Sequence, residues 1–148
     1  VAADLLAQDF GVVAEIWATP GINELARDGN AATRWNLLHP DQTPRLPYVS
    51  ACLEGHPGPV VAATDYIRLY AEQLRPFIQR PYLVLGTDGY GRSDTRAQLR
   101  RHFEVNSHYI VLAALKLLAD EGAVPVTKVL EAIEKYGIDA DKPNPLTV

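Results

Sequence analysis

The residues best suited to chemistry lie in one stretch, Gly86-Thr87-Asp88-Gly89-Tyr90-Gly91-Arg92-Ser93-Asp94. Three glycines in six positions let the backbone bend through conformations closed to other residues. Ser93 or Asp94 stands where a helix N-cap belongs, and the helix start together with Arg92 would suit an anion. Asp88 and Asp94 oppose a phosphate, however, and the spacing is neither the Walker pattern nor the dinucleotide fingerprint. A tight strand-to-helix turn buried against another domain accounts for the stretch better. Asp88, Gly89, Tyr90, Gly91, Arg92, Ser93 and Asp94 are therefore expected to form a structural, interdomain turn, with Asp88, Arg92 and Asp94 holding its shape. Its remaining alternative is a small-ligand or regulatory site.

Other candidates are weaker. Thr87-Asp88-Gly89 invites comparison with the magnesium-diphosphate motif of thiamine enzymes, which starts Gly-Asp-Gly and ends in paired Asn. Here Thr replaces the first Gly, and Asn106 stands alone at too short a distance. The four histidines, His39, His56, His102 and His108, have no metal-ligand spacing, and His102 and His108 fall on opposite sides of any continuous helix. Cys52 precedes His56 by four residues without a Gly-flanked nucleophile signature, and reads as a small buried thiol. Asp65 is explained as a helix N-cap. Trp17, Trp35, Tyr66 and Tyr70 read as core aromatics rather than a stacking platform for a ring ligand. No catalytic, cofactor or metal residue is assigned.

The elements that position this turn follow from hydrophobic spacing. Residues 1–10 read as a helix with one apolar face, closed by Gly11 and lacking an N-cap. Residues 12–18, bounded by Gly11 and Pro20, read as a buried strand. Residues 22–38 read as helical but interrupted at Asp28-Gly29-Asn30, a turn signal. Pro40, Pro44 and Pro47 make a connector, followed by a short helix over 48–53. Residues 59–64 predict a second buried strand. Ile67, Tyr70, Ala71 and Leu74 predict an amphipathic helix capped by Asp65 and stopped by Pro76. Residues 82–85 predict a third strand, 95–103 a helix, and 107–121 another helix capped by Ser107 and closed by Gly122. Val126, Val129, Leu130 and Ile133 mark a last helix that ends at Gly137. Strands alternating with helices predict an α/β fold: an open, mostly parallel sheet with helices on both faces. In such sheets ligand chemistry gathers at the carboxyl ends of the strands, which places the 86–94 turn where a site belongs.

Composition bounds the function. A chain of 148 residues fits one domain, and 47% hydrophobic with 22% charged residues is the composition of a globular protein. One cysteine excludes an internal disulfide framework and points to a reducing compartment. Fourteen Lys and Arg against 18 Asp and Glu give a net charge of −4. That balance argues against nucleic acid, whose phosphates require a basic surplus. No apolar run approaches the roughly 20 residues of a membrane span, and no signal peptide opens the chain. A soluble, cytoplasmic protein is expected.

Several segments together resemble the C-terminal domain of the bacterial homodimeric pyruvate dehydrogenase decarboxylating component, a thiamine-diphosphate family related to transketolase. They are Asn23-Glu24-Leu25-Ala26-Arg27-Asp28-Gly29, Arg34-Trp35-Asn36-Leu37-Leu38-His39-Pro40, Thr64-Asp65-Tyr66 with Ala71-Glu72-Gln73, and the 85–94 stretch, where Tyr90 stands in place of the usual Phe. His102-Phe103-Glu104-Val105, Lys135-Tyr136-Gly137-Ile138-Asp139 and Lys142-Pro143-Asn144-Pro145 extend the resemblance over essentially the whole chain. The resemblance implies a transketolase-like C-terminal domain, here one single domain over 1–148 and a fragment of a larger multidomain enzyme. That family's domain opens with a strand before the first helix, so a first strand is expected to be missing. The implied parent oxidatively decarboxylates pyruvate and acetylates lipoyl groups, with thiamine diphosphate and magnesium held by other domains. Its implied partners are a second copy of the parent and the dihydrolipoyl acetyltransferase core, in a bacterial cytoplasm. This chain is then architectural and inactive alone. The competing class is a free-standing α/β small-ligand or regulatory module.

Overall fold

A computed structural model describes all 148 residues. The elements in order are α1 (Ala2–Phe10), α2 (Ile22–Leu38), α3 (Tyr48–Leu53), β1 (Val60–Ala63), α4 (Arg68–Glu72), a 3-10 turn (Arg75–Phe77), β2 (Tyr82–Leu85), α5 (Arg96–His102), α6 (Ser107–Asp120) and α7 (Val126–Lys135). β1 and β2 pair in parallel, with Val60 opposite Tyr82 and Ala63 opposite Leu85. Each strand is a short apolar run preceded by a proline, Pro59 or Pro81, which cannot donate to the ladder and so stands at the strand's start. The fold is α/β, as expected, and its sheet has two strands.

Side-chain alternation splits the core in two. Tyr82 and Val84 of β2 face a cluster with Ile22 and Ala26 of α2, Val49 of α3, and Ala71, Leu74, Phe77 and Ile78 from the crossover. Across the sheet α6 touches both strands and packs against α1 and α7. There Leu6, Val111, Leu115, Val129 and Ala132 close a second cluster. Leu115 and Val111 are wholly enclosed. Within the first cluster the Tyr82 hydroxyl donates to the Ala71 carbonyl at 2.7 Å, which ties β2 to α4. Burial pushes that phenol up to about 12. No helix is long and apolar enough to cross a membrane.

Several local expectations are corrected. Residues 12–18 form no strand: they run without a ladder partner, and Val13 and Ile16 are 90% and 80% exposed. An apolar β-branched run needs both a neighbouring strand and a covered face, and here it has neither. α2 is continuous through Asp28-Gly29-Asn30. Those residues carry tertiary contacts rather than a turn. A Cβ on Gly29 would lie 2.5 Å from the Phe77 ring, so the glycine lets α2 approach that ring. Asp28 accepts the Tyr48 N–H at 2.6 Å, holding the start of α3.

Asp65 caps nothing. α4 starts at Arg68, and Asp65 instead pairs with Arg100 of α5 at 2.9 Å. The two later caps also shift by one or two residues. Thr95 accepts the Gln98 N–H at the start of α5, and Asn106 rather than Ser107 accepts the Tyr109 N–H at the start of α6. Finally, Trp17 and Tyr66 are largely exposed rather than core residues, and Cys52 is half-buried. Trp35 packs in a surface stack instead, with its ring 4.4 Å from His39 and the Arg45 guanidinium 4.2 Å from its centre.

Candidate functional site

The 86–94 turn leaves the carboxyl end of β2 and is laced at once to the segment that leaves β1. The Thr87 N–H donates to the Tyr66 carbonyl at 2.8 Å, and the Thr87 hydroxyl donates to the Asp65 carbonyl at 2.8 Å. Asp88 Oδ2 accepts from the Arg68 backbone N–H at 3.0 Å and from Arg68 Nε at 2.9 Å. The exits of both strands are thereby joined before either chain segment reaches its next helix. Gly89 sits at φ +119°, and a Cβ there would lie 2.3 Å from the Pro145 carbonyl oxygen. Only glycine allows both that backbone angle and that approach of the C-terminal tail. Tyr90 is 76% exposed. Asp94 accepts the Thr95 N–H at 2.7 Å, next to the Thr95 cap of α5. Two N–H groups at this helix start, those of Thr95 and Gln98, are thus taken by the chain's own side chains.

Arg92, Ser93 and Asp94 form one wall of a cleft of about 500 Å³. α5 contributes Gln98, Leu99, Arg101 and His102, the start of α6 contributes Asn106, His108 and Tyr109, and the chain beyond α7 contributes Tyr136, Ile138, Asp139 and Lys142. Lys142 Nζ donates to the His102 carbonyl at 2.5 Å and meets Glu104 at 3.1 Å, which straps the tail to the end of α5. His108 stacks on Tyr136 with centroids 4.3 Å apart and planes 3° from parallel. Tyr136 donates to Asp9 at 2.8 Å, and Lys135 reaches the other Asp9 oxygen at 2.7 Å, so α1 is held to the end of α7.

Charge and burial set the titration behaviour. His102 is lowered first by desolvation, then by the Arg92 and Lys142 charges, against which Glu104 acts in part. Its Nε2 is shielded and has no hydrogen-bond partner, as befits a neutral imidazole. Burial and the Asp9 carboxylate push Tyr136 up to about 12. The Lys135 and Tyr136 bonds hold Asp9 below the usual carboxylate range.

The structure does not gather the residues weighed as chemical candidates. His39 follows α2 and His56 follows α3, neither lines the cleft that holds His102 and His108, and His56 contacts Glu15 instead. No three His, Cys, Asp or Glu side chains converge as a metal group. Nor do Asp88 and Asn106 fit a magnesium diphosphate: the Asp88 oxygen is taken by Arg68, and Asn106 Oδ1 accepts the Tyr109 N–H at 3.1 Å. What sequence reading missed is the second wall of the cleft. The basic stretch 92–102 is visible as a string of residues. That Tyr136, Asp139 and Lys142 return to it is a consequence of α7 packing on α6, and no spacing signals it.

Comparison with known proteins places this geometry. Residues 1–106 match the family described as the transketolase-like TK C-terminal domain. The chain is 56% identical over 147 residues to the pyruvate dehydrogenase E1 component of Cupriavidus necator, covering 99% of this chain and 16% of that protein. It is 57% identical over 146 residues to the protein of that name in Pseudomonas aeruginosa, covering 98% of the chain and 17% of the relative. The Escherichia coli protein of the same name is 50% identical over 145 residues, 97% of the chain and 16% of the relative. The chain thus spans about one-sixth of the length of the curated relatives it matches. With a small parallel sheet, crossover helices and a family match over most of its length, the chain belongs to the transketolase-like C-terminal domains.

Proposed function

We propose that this chain is one domain, over 1–148, of a longer polypeptide: a thiamine-diphosphate-dependent pyruvate dehydrogenase of the acetyl-transferring kind. The observation that carries the reading is identity of 50–57% over nearly the whole chain to proteins named pyruvate dehydrogenase E1 component. The parent reaction is oxidative decarboxylation of pyruvate with reductive acetylation of a lipoyl group. When bound, thiamine diphosphate supplies a thiazolium ring that accepts the electron pair released by decarboxylation. That cofactor and its magnesium belong to other domains, since the residues here do not fit them. This chain's own work is architectural.

The uncovered apolar surface supports that role. Val13 and Ile16 in the 12–18 segment, and Tyr66, Ile67 and Leu69 around the start of α4, are all exposed. Clustered apolar exposure marks an interaction face more than a solvated one. In this reading those faces, and the Asp88 to Asp94 turn through its outer side around the exposed Tyr90, meet the preceding domains and the second copy of a homodimer, while the side of Arg92 to Asp94 that lines the cleft stays open. The dimer docks on the dihydrolipoyl acetyltransferase core in the bacterial cytoplasm.

The test is Ile67→Asp in the purified parent polypeptide. Weaker dimer association with a parallel loss of pyruvate turnover is expected. Unchanged dimer stability and unchanged turnover would contradict the architectural role. In a calorimeter, the isolated chain is expected to show no stoichiometric binding of thiamine diphosphate with magnesium.

A further inference from the structure

We infer that the cleft between the 92–94 turn, α5 and the 136–142 segment binds a small phosphate monoester. The bridged arginines of this chain are Arg27, Arg68, Arg75 and Arg100. Arg92 and Arg101 form no salt bridge, yet both line the same cleft. Arg101 spends one N–H on the Gly137 carbonyl, at a long 3.3 Å, and keeps the rest of its fork free. Lys142 adds a third cation, already shared with Glu104. Asp94 and Asp139 also face the cleft, but one oxygen of each accepts a backbone N–H, from Thr95 at 2.7 Å and from Asp141 at 3.0 Å. Both carboxylates keep their charge, and Arg92 and Arg101 are the lining cations without an ion-pair partner, left to meet an anionic ligand.

Chemistry selects phosphate. A guanidinium presents a planar fork that matches two oxygens, and two forks suit the three oxygens of a phosphoryl group better than the two of a carboxylate. Ser93, the Asn106 amide and the Tyr109 hydroxyl supply neutral hydrogen-bonding groups around them. The volume of about 500 Å³ exceeds that of a bare phosphate ion. Leu99 and Ile138 are among the lining residues, so an organic group on the ester has apolar side chains to meet. His102, whose affinity for a proton is lowered first by desolvation and then by the Arg92 and Lys142 charges, with Glu104 acting against them, lines the same cleft.

Isothermal titration of the purified native polypeptide with phenyl phosphate, inorganic phosphate and tricarballylate tests the site. Phenyl phosphate is expected to bind saturably and more tightly than inorganic phosphate. Arg92→Gln and Arg101→Gln should each weaken it about tenfold or more, the loss of one charged hydrogen-bonding partner. Arg96→Gln, outside the cleft, should leave binding unchanged. The far-ultraviolet circular dichroism of each variant confirms that it is folded, and Arg92→Lys gives a milder replacement that keeps the charge. No saturable binding, or binding indifferent to both arginines, would overturn the inference. Tricarballylate binding as tightly as phenyl phosphate would overturn the assignment to phosphate.

Discussion

Asp88 holds Arg68 twice through a single oxygen, accepting its backbone N–H at 3.0 Å and its Nε at 2.9 Å. One carboxylate thus fixes where α4 begins and how the chain leaves β2. Asp88→Ala removes both bonds. The pair is partly exposed, at 47% and 22%, so the loss is discounted for solvent to about 1 kcal/mol. Urea denaturation of the variant should show a lower midpoint with an unchanged slope.

Gly29 is predicted to be intolerant despite lying inside a helix. Alanine would add up to about 1 kcal/mol of helix propensity. Its methyl would meet the Phe77 ring at 2.5 Å, and overpacking of that kind costs about 1–3 kcal/mol. Gly29→Ala should therefore destabilise in thermal denaturation, and Gly29→Ala with Phe77→Leu should recover part of the loss.

Gly89→Ala tests the tail. Its φ of +119° and the Pro145 carbonyl oxygen, which an added Cβ would overlap, leave no room for a side chain, so the tail must move off the turn. Amide exchange at Thr147, whose N–H donates to Asn144 at 2.9 Å, is expected to speed up, while exchange in β2 changes little.

His102 gives a pH signature. Burial and its cationic neighbours lower its affinity for a proton in the folded state, against an unfolded value of about 6.5. Below that value the unfolded chain takes up a proton that the folded chain refuses, so stability falls as pH falls from about 6.5 toward the folded value. The contribution is fully present above 6.5. Comparing urea midpoints at pH 7 and pH 5 should show the drop, and His102→Gln should reduce it.

The helices and both observed strands were legible in the sequence because each is a local pattern, a 3.6-residue period or a short apolar run between breakers. The 12–18 segment was not, because whether Val13 and Ile16 become a strand depends on a neighbour rather than on themselves. Gly29 was misread for a related reason. Asp-Gly-Asn is a turn signal in isolation, and only the position of Phe77, nearly fifty residues on, shows that the glycine makes room for a ring. Of the site, the turn and Arg92 were visible as a glycine-rich stretch with flanking charges. Lys142, Tyr136 and Asp139 were not, since their place at the cleft follows from α7 folding back on α6.

The proposed place of this chain, as one domain of a much longer decarboxylase, can be tested on the native polypeptide. The most direct test is the intact mass of the native polypeptide, taken by mass spectrometry from source cells. A mass about six times that of this chain is predicted, in keeping with relatives of which the chain covers 16–17%. A native mass equal to the 148 residues alone would contradict the account and make the protein a free-standing module.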